Sequence, residues 1–283
     1  MVDENPRSRE ITVPRLFYGT AWKEEATQNL VELALENGFR GIDTANQRRH
    51  YHEAAVGQAI ANMIAKERLK RADLFLQSKF TFRRGQDHRL PYDPTASVTD
   101  QVEQSFASSL KHLLTDGLDA YLLHGPMHSV GLTKEDWMAW REMEAIYDSG
   151  RTRMLGISNV SLDQLQALCE EARIRPSIVQ NRCYASQGWD RPVREFCRAK
   201  GILYQAFSLL TANREALNSP EITSIAKRYE RTVPQIIFRF ALEVGMIPLT
   251  GTTDSGHMCD DLRVLGDCLD KAEISLIESW ASQ

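Results

Sequence analysis

Short apolar runs alternate with helical patterns eight times along this chain of 283 residues, and this repetition restricts the possible folds more than any other feature. A repeated strand–helix unit predicts a parallel sheet covered by helices, and eight such units predict a closed (β/α)8 TIM barrel. A doubly wound sheet is the competing architecture, but no G-x-G-x-x-G motif follows any of the strands. The strands are predicted at residues 16–18, 41–43, 74–79, 120–124, 154–158, 177–180, 203–207 and 246–249.

The composition indicates one ordinary globular domain. No linker or low-complexity tract interrupts the chain, so the predicted domain spans residues 1–283. A net charge of −4 argues against a nucleic-acid partner, which would need a basic face. No apolar run is long enough to span a bilayer, and the N-terminus lacks the apolar core of a signal peptide.

The five cysteines show no C-x-x-C spacing, and this pattern is typical of reduced thiols in a cytoplasmic protein. We therefore expect a cytoplasmic location and a small-molecule partner, without a metal site or membrane contact. A monomer or a weak homo-oligomer is the expected assembly.

Polar side chains stand at the carboxyl ends of four neighbouring predicted strands. Asp43 ends the second strand, Lys79 the third, His124 the fourth, and the pair Ser158-Asn159 the fifth. Taken singly, the acid could cap a helix, the lysine could reach solvent, and the histidine could be an ordinary core residue. Together they predict an active site, because strand ends meet at one mouth of a barrel and a buried lysine needs a carboxylate partner.

Tyr51 lies in the polar loop after the second strand and completes this set. A tyrosine beside a protonated lysine should have a lowered pKa, so that it can protonate a carbonyl oxygen near neutral pH. In this interpretation Asp43 keeps Lys79 charged, and a neutral His124 orients the carbonyl group by a hydrogen bond. Such a site lacks only a hydride donor.

The motifs around these residues resemble the aldo-keto reductase superfamily, in order and over nearly the whole chain. They are GFRGIDTA…YHEAAVG, the lysine of LQSKF, YLLHGP, GISN and QAFSLL. The resemblance implies a barrel without a Rossmann domain that binds NAD(P)H across its mouth. It also implies reversible reduction of aldehydes or ketones to alcohols by hydride transfer, with a tyrosine as the general acid.

The resemblance implies roles for individual residues as well. The catalytic tetrad would be Asp43, Tyr51, Lys79 and His124. The residues expected to contact the cofactor come from the ends of several strands: Gly19, Thr20, Ser158, Asn159, Gln180, Asn181, Phe207, Ser208, Leu210, Gly251, Thr252, His257 and Asp261. Within this set, Ser158 and Asn159 would hold the carboxamide, and Phe207 would stack on the nicotinamide where the family usually has tyrosine.

Two positions depart from the spacing of the family. Counting back from Glu53 puts the family's tyrosine at His50, one place before Tyr51. We assign the acid to Tyr51, because histidine is a poorer acid for this step, and keep His50 as the alternative. The family's glutamine could be Gln180 or Asn181, and the spacing to the next tyrosine favours Asn181.

The end of the eighth strand differs from that of many relatives, which select NADPH there with a lysine and an arginine. Gly251 and Thr252 stand at the lysine position, and His257 stands near the arginine position with Asp261 close by. A mostly neutral histidine beside a carboxylate binds phosphate less strongly than arginine does. NADPH is the expected cofactor, and NADH is the alternative.

Aromatic side chains at the predicted mouth are the candidates for the substrate pocket: Trp22, His50, Phe80 and Phe82. For Phe80 a core position is equally consistent with the sequence. The loop 82–93 is either a solvated run of charge or a lid that attracts anionic substrates or cofactor phosphates. Its basic residues are Arg83, Arg84, His88 and Arg89.

Two other classes of function are compatible with the same barrel. One is a nucleotide-binding regulatory protein with little turnover, and the other is an isomerase or dehydratase without net redox change. The complete set of acid, lysine, histidine and phenol argues against the loss of reductase chemistry.

Overall fold

Eight parallel strands close into a barrel in the computed structural model, which describes residues 12–266 and 268–280. Each strand pairs with the next one in the chain, and the eighth pairs with the first. The strands are β1 (Phe17–Gly19), β2 (Gly41–Asp43), β3 (Phe75–Phe80), β4 (Ala120–Leu123), β5 (Leu155–Ser158), β6 (Ile178–Arg182), β7 (Leu203–Phe207) and β8 (Met246–Thr250). The predicted (β/α)8 fold is confirmed, because all eight strands appear close to their predicted positions.

Helices surround the barrel on its outer side, where the apolar faces of strands and helices form the larger core. The helices are α1 (Thr27–Glu36), α2 (Glu53–Ala65), α3 (Val98–Leu113), α4 (Lys134–Asp148), α5 (Leu162–Glu171), α6 (Arg191–Lys200), α7 (Arg214–Leu217), α8 (Pro220–Arg228), α9 (Val233–Glu243), α10 (Ser255–Arg263) and α11 (Lys271–Glu278). Several begin at a side-chain cap that satisfies free backbone N–H groups. Ser161 with Gln164, for example, forms a capping box at the start of α5.

Strand parity decides which side chains enter the barrel. Along β3, Phe75 packs in a small inner cluster of the barrel, whereas Leu76 and Phe80 belong to the outer core. Since successive side chains alternate between faces, Gln77 and Lys79 point inward with Phe75. Phe80 is fully buried and packs on Phe82, with 5.1 Å between the ring centroids. The sequence-based assignment of Phe80 to the substrate pocket is therefore wrong, whereas Phe82, the other phenylalanine expected there, lines the cavity.

Three further properties follow from the described residues. No helix within 12–266 or 268–280 has the length and apolar character needed to cross a bilayer. Over the same ranges, no cluster of three or more His, Cys, Asp or Glu side chains has the arrangement of a metal site. All five cysteines lie in this part of the chain, and each is a free thiol.

Candidate active site

A cavity of about 1330 Å³ opens at the carboxyl ends of the strands. It is larger than the roughly 300–1,000 Å³ of common small-molecule sites, so it has room for an extended ligand beside a small substrate. Most of the predicted site residues line it: Gly19, Trp22, Asp43, His50, Tyr51, His124, Ser158, Asn159, Gln180, Phe207, Ser208, Leu210, Gly251, Thr252, His257 and Asp261. Thr20, Lys79 and Asn181 lie behind this wall, and each has a distinct reason for its position.

Lys79 and Asp43 form a buried ion pair beneath the floor of the cavity. The Lys79 Nζ lies 2.6 Å from Asp43 Oδ1 and also donates to the carbonyl oxygen of Thr44 at 2.9 Å. Both charged side chains are almost fully shielded from water. Burial lowers the pKa of Lys79, and the adjacent Asp43 carboxylate opposes that shift. This pairing agrees with the arrangement expected from the two strand ends.

A ring of buried glutamines surrounds the same carboxylate oxygen. Gln77 and Gln180 donate to Asp43 Oδ1 at 2.6 and 2.9 Å, and both also donate to Gln205 Oε1 at 2.8 Å. Gln205 returns a hydrogen bond to Gln77 at 2.9 Å. The network satisfies polar groups that would otherwise be buried without partners, and it fixes the carboxylate in one orientation.

Two members of this network, Gln77 and Gln205, were not identified from the sequence. The signal that reveals them is strand parity. Gln77 stands two residues before Lys79, and Gln205 stands two residues before Phe207. An amide in the middle of an apolar strand, on the same face as a site residue, points into the barrel and needs polar partners there.

Tyr51, rather than His50, lies against the buried lysine. The Lys79 Nζ is 5.3 Å from the centroid of the Tyr51 ring, and the His124 ring is 5.8 Å away at 68°. His50 stacks on Trp22 at 3.9 Å, and its Nδ1 is 2.9 Å from Gln47 Oε1. His50 and Trp22 thus form part of the mouth, where both were expected, while the phenol lies over the ion pair.

The expected lowering of the Tyr51 pKa does not occur. Burial raises the pKa of Tyr51, and the negative charge of Asp43 raises it further, while Arg182 lowers it by a smaller amount. The Lys79 ammonium, 5.3 Å from the centroid of the Tyr51 ring, does not offset these two effects. Tyr51 is therefore a protonated phenol throughout the neutral range, which suits a proton donor more than a base.

His124 is neutral, as the sequence analysis expects. Burial lowers the pKa of His124 well below its ordinary value, and the Lys79 charge adds to the effect. Its Nδ1 lies 2.7 Å from the Thr81 hydroxyl. When that hydroxyl donates to Nδ1, the ring hydrogen resides on Nε2, which makes His124 a hydrogen-bond donor.

Ser158, Asn159 and Gln180 form the polar wall at the ends of β5 and β6. Asn159 adopts a left-handed conformation with φ of 53° and donates to the His124 carbonyl oxygen at 2.8 Å. Ser158 donates to the Gln180 carbonyl oxygen at 2.6 Å. The Gln180 side-chain nitrogen is used by Asp43 and Gln205, so the amide oxygen of Gln180 is the atom available to accept a hydrogen bond.

The preference for Asn181 over Gln180 is corrected by strand parity. Asn181 points outward, where its amide donates to Val160 O at 2.8 Å and to Asp190 at 2.9 Å. Its side-chain oxygen accepts from the Val160 backbone N–H. Gln180 occupies the inward position that Asn181 was expected to fill, and it lines the cavity.

Thr20 is also corrected, because its side chain does not face the cavity. The Thr20 hydroxyl is fully buried and donates to the backbone oxygen of Asp43 at 2.9 Å. It supports the end of β2, whereas the neighbouring Gly19 lines the cavity. Phe207, Ser208 and Leu210 form the β7 wall, and Ser208 is left-handed with φ of 59°.

The β8 end of the cavity carries one cation that the sequence analysis did not identify. Lys23, from the loop after β1, donates to the Gly251 carbonyl oxygen at 2.7 Å, and burial lowers its pKa to about 8. In the sequence, the only indication that Lys23 reaches the cavity was its position next to Trp22, in the loop after the first predicted strand. Asp261 accepts from Thr250 at 2.7 Å, and burial raises its pKa to about 6. His257 is exposed at the rim.

The basic loop after β3 is attached to the barrel. The Gln47 amide donates to Gly85 O at 2.6 Å, and the Tyr92 hydroxyl donates to Thr81 O at 2.9 Å. Among the basic residues of this loop, Arg84 lines the cavity, while Arg89 pairs with its neighbour Asp87. One arginine of the predicted lid thus reaches the site.

Comparisons with known proteins agree with this geometry. A sequence model described as "Aldo/keto reductase family" matches residues 15–282. An uncharacterized oxidoreductase, YtbE, of Bacillus subtilis (strain 168) is 31% identical over 271 residues, which cover 95% of this chain and 89% of that protein. Glyoxal reductase of the same organism is 27% identical, with 90% of this chain and 83% of that protein covered.

Solved structures of the same kind superimpose on most of the chain. A Bombyx mori aldo-keto reductase, crystallised in complex with NADP, matches with a TM-score of 0.80 and 25% identity. The match covers 95% of this chain and 90% of that one.

Proposed function

The chain belongs to the Aldo/keto reductase family, and from that premise we propose that it reduces aldehydes or ketones to alcohols with NADPH, with Tyr51 as the proton donor. The observation that carries the proposal is the position of the Tyr51 phenol. It lines the cavity between the buried Lys79–Asp43 pair and a neutral His124. These are the groups that the reduction of a carbonyl needs on the protein side.

In this mechanism the substrate oxygen lies between Tyr51 and His124. His124 Nε2–H would hold the oxygen by a hydrogen bond, which orients the carbonyl carbon and stabilises charge on the oxygen. The reduced nicotinamide, when bound, supplies the hydride. As negative charge develops on the oxygen, the phenol of Tyr51 donates its proton there, because an alkoxide is a stronger base than a phenolate.

The buried ion pair keeps this arrangement in place. The Lys79 ammonium faces the Tyr51 ring at 5.3 Å, so it stabilises the phenolate that forms when the proton leaves. Asp43 holds the lysine, and the glutamine network holds Asp43. Because burial and the Asp43 charge raise the pKa of Tyr51, the phenol carries the proton that reduction consumes.

The residues of the cavity fit a dinucleotide. The amide oxygen of Gln180, together with Ser158 and Asn159, offers hydrogen-bonding atoms for a carboxamide group. Phe207 lies beside them and offers a flat apolar face for a nicotinamide ring. At the opposite end, Lys23 is a cation held against the β8 backbone, where it can meet a phosphate group.

NADPH is the preferred cofactor in this proposal, and two observations support it. A relative with 25% identity was crystallised with NADP. In this chain Gly251 stands at the position where many relatives have lysine. Lys23 supplies a positive charge beside Gly251 instead. The Asp261 carboxylate lines the same end of the cavity and disfavours a phosphate there, so we expect a moderate rather than an absolute preference over NADH.

The central test measures oxidation of NADPH, and of NADH, against a panel of aldehydes and ketones, beside nucleotide binding by fluorescence quenching. We expect Tyr51→Phe to lower kcat/KM by about 10²- to 10⁴-fold, the usual contribution of a general acid, with cofactor affinity retained. The matched control is His50→Gln, which removes the neighbouring alternative acid and should keep most of the turnover.

Other outcomes would reassign the function. If His50→Gln abolished turnover while Tyr51→Phe did not, the proton donor would be His50. Nucleotide binding without reduction of any carbonyl would favour a regulatory protein. Product formation without net consumption of cofactor would favour an isomerase or dehydratase.

We further propose that the protein works in the cytoplasm. The support is the set of five cysteines, all free thiols and three of them buried, which are typical of a reducing compartment. Localisation of a tagged chain by microscopy and fractionation would test this.

A further inference from the structure

Arg182 is the residue of the cavity wall that the proposed chemistry leaves without a role. It is the last residue of β6, and it has the same parity as Gln180, so its side chain points toward the barrel mouth. It lines the cavity and is exposed to solvent. Its guanidinium carbon lies 5.4 Å from the centroid of the Phe207 ring. It is also close enough for its charge to act on Tyr51.

This guanidinium has no acidic partner among the described residues. The acids that line the cavity are engaged elsewhere: Asp43 with Lys79, Asp260 with Arg263, and Asp261 with Thr250. The five donor N–H groups of Arg182 are therefore directed at solvent or at a ligand, since its only described contact is with an aromatic face.

A second guanidinium stands on the β4 side of the same mouth. Arg84 lines the cavity, and its Nη2 donates to the Pro126 carbonyl oxygen at 2.6 Å. That bond orients the side chain without neutralising it. Arg84 is thereby held beside the end of β4, at Pro126, two residues beyond His124, while Arg182 stands at the end of β6, within electrostatic range of Tyr51. The chain as a whole has a net charge of −4, so this is a local concentration of positive charge.

We propose that Arg182, assisted by Arg84, binds an anionic group on the substrate, so that the preferred carbonyl compounds carry a carboxylate or a phosphate. The planar fork of a guanidinium matches either anion with two parallel hydrogen bonds. Such a pair of hydrogen bonds fixes the far end of the substrate. The carbonyl group is then held in line with the Tyr51 phenol. This inference rests on the proposed function, because it names the substrate class of the same site.

The test compares each anionic carbonyl compound with a neutral partner of the same skeleton. Succinic semialdehyde is paired with its methyl ester, and glyceraldehyde 3-phosphate is paired with glyceraldehyde. We expect at least one anionic member to exceed its partner in kcat/KM by about tenfold or more, the effect of a charge-assisted hydrogen bond. A preference confined to one pair identifies which anion is bound.

Substitution of the arginine then assigns the preference to its source. Arg182→Gln should lower kcat/KM by roughly 10- to 100-fold for the preferred anion, mainly through KM, and leave the neutral partner within about twofold. Arg182→Lys should restore part of the loss. Arg84→Gln should show a smaller loss of the same kind. Arg83→Gln is its matched control, since Arg83 is the exposed neighbour that does not line the cavity.

The readouts distinguish this inference from the function itself. If neutral aldehydes are reduced at least as well as their anionic partners, the inference is wrong and the reductase stands. If no carbonyl compound is reduced at all, the proposed function fails. Cofactor affinity must also be measured, because Arg182 contacts Phe207. Should Arg182→Gln weaken cofactor binding and lower both members of a pair equally, Arg182 serves the cofactor and not the substrate.

Discussion

The two sides of the cavity are built on different physical principles. The acid side consists of Asp43, Tyr51, Lys79 and His124, and the β8 side consists of Lys23, Gly251, His257 and Asp261. On the acid side, the inward strand residues Asp43 and Lys79 are buried and joined to the glutamine network by short hydrogen bonds, and Tyr51 packs against them. On the β8 side, most groups come from loops and from the start of α10, and His257 is exposed.

The two sides of the cavity also differ in the pH range in which their groups titrate. The acid side holds titratable groups away from neutral pH: the pKa of His124 is lowered and that of Tyr51 is raised. The β8 side holds groups that titrate near neutrality, with pKa values of about 8 for Lys23 and about 6 for Asp261. We therefore expect the acid side to control stability and turnover, and the β8 side to adjust cofactor affinity.

The largest expected effect comes from breaking the buried ion pair. Lys79→Met leaves the Asp43 carboxylate buried without its cation, which should cost about 3–5 kcal/mol of unfolding free energy. Urea denaturation monitored by circular dichroism measures the change. The double variant Asp43→Asn with Lys79→Met removes both charges, and it should recover part of the loss. If the double variant is no more stable than Lys79→Met, the unpaired charge is not the cause.

Next in size is the loss of one member of the glutamine network. Gln205→Leu removes the acceptor of one N–H bond from each of Gln77 and Gln180 and the donor to Gln77 Oε1, at an expected cost of about 1–3 kcal/mol. The exposed Gln187→Leu is the matched control and should change stability by less than about 0.5 kcal/mol. Equal changes in the two variants, measured by the same urea titration, would mean that the network does not stabilise the barrel.

On the β8 side, Asp261→Asn should be stabilising at neutral pH. The pKa of Asp261 is raised to about 6 by burial, so the folded state disfavours the ionised carboxylate. The penalty develops as pH rises from the ordinary aspartate pKa through about 6 and is complete above that value. The variant should gain on the order of 1–3 kcal/mol at about pH 8, and almost nothing at about pH 3. A gain of the same size at both pH values would contradict this account.

The smallest expected effect separates the two sides by pH. Neither Tyr51 nor His124 changes charge between about pH 7 and pH 9, so kcat for reduction should vary by less than about twofold. Over the same range Lys23 loses its charge, because its pKa is lowered to about 8. Affinity for NADPH should therefore fall roughly several-fold as the pH rises over this range. Steady-state kinetics at each pH, with kcat and the KM for the cofactor fitted separately, measure both effects. If the acid side titrates instead, kcat will change with pH and the KM for the cofactor will stay nearly constant.

Much of the fold and half of the site follow from patterns that the sequence carries locally. Alternation of apolar runs and helical stripes predicts the barrel, and the polar residues that end β2, β3, β4 and β5 predict the acid side. They do so because the carboxyl ends of parallel strands meet at one mouth. The errors lie where parity or loop path decides. Asn181 and Phe80 have the outward parity of their strands, so Gln180 faces the cavity in place of Asn181, and Phe80 packs in the outer core.

Loop residues were harder to predict, because a loop has no period from which to deduce a direction. Tyr51 and His50 are adjacent, and only the path of the loop shows that the phenol lies over Lys79 while the imidazole stacks on Trp22. Lys23 was missed for the same reason. Arg182 was missed although it lies on a strand. A basic residue at the end of a strand is usually interpreted as an ordinary surface side chain.

The order of residues along the chain determined the barrel, the polar residues at the ends of its strands and the family to which it belongs, because each follows from local periodicity and from the residue that ends each strand. Only the tertiary structure decided which neighbour faces the cavity, how two glutamines share one carboxylate oxygen while a third links them, and that the phenol stays protonated. Those outcomes depend on burial and on distances between strands far apart in the chain, and both arise only when the barrel closes.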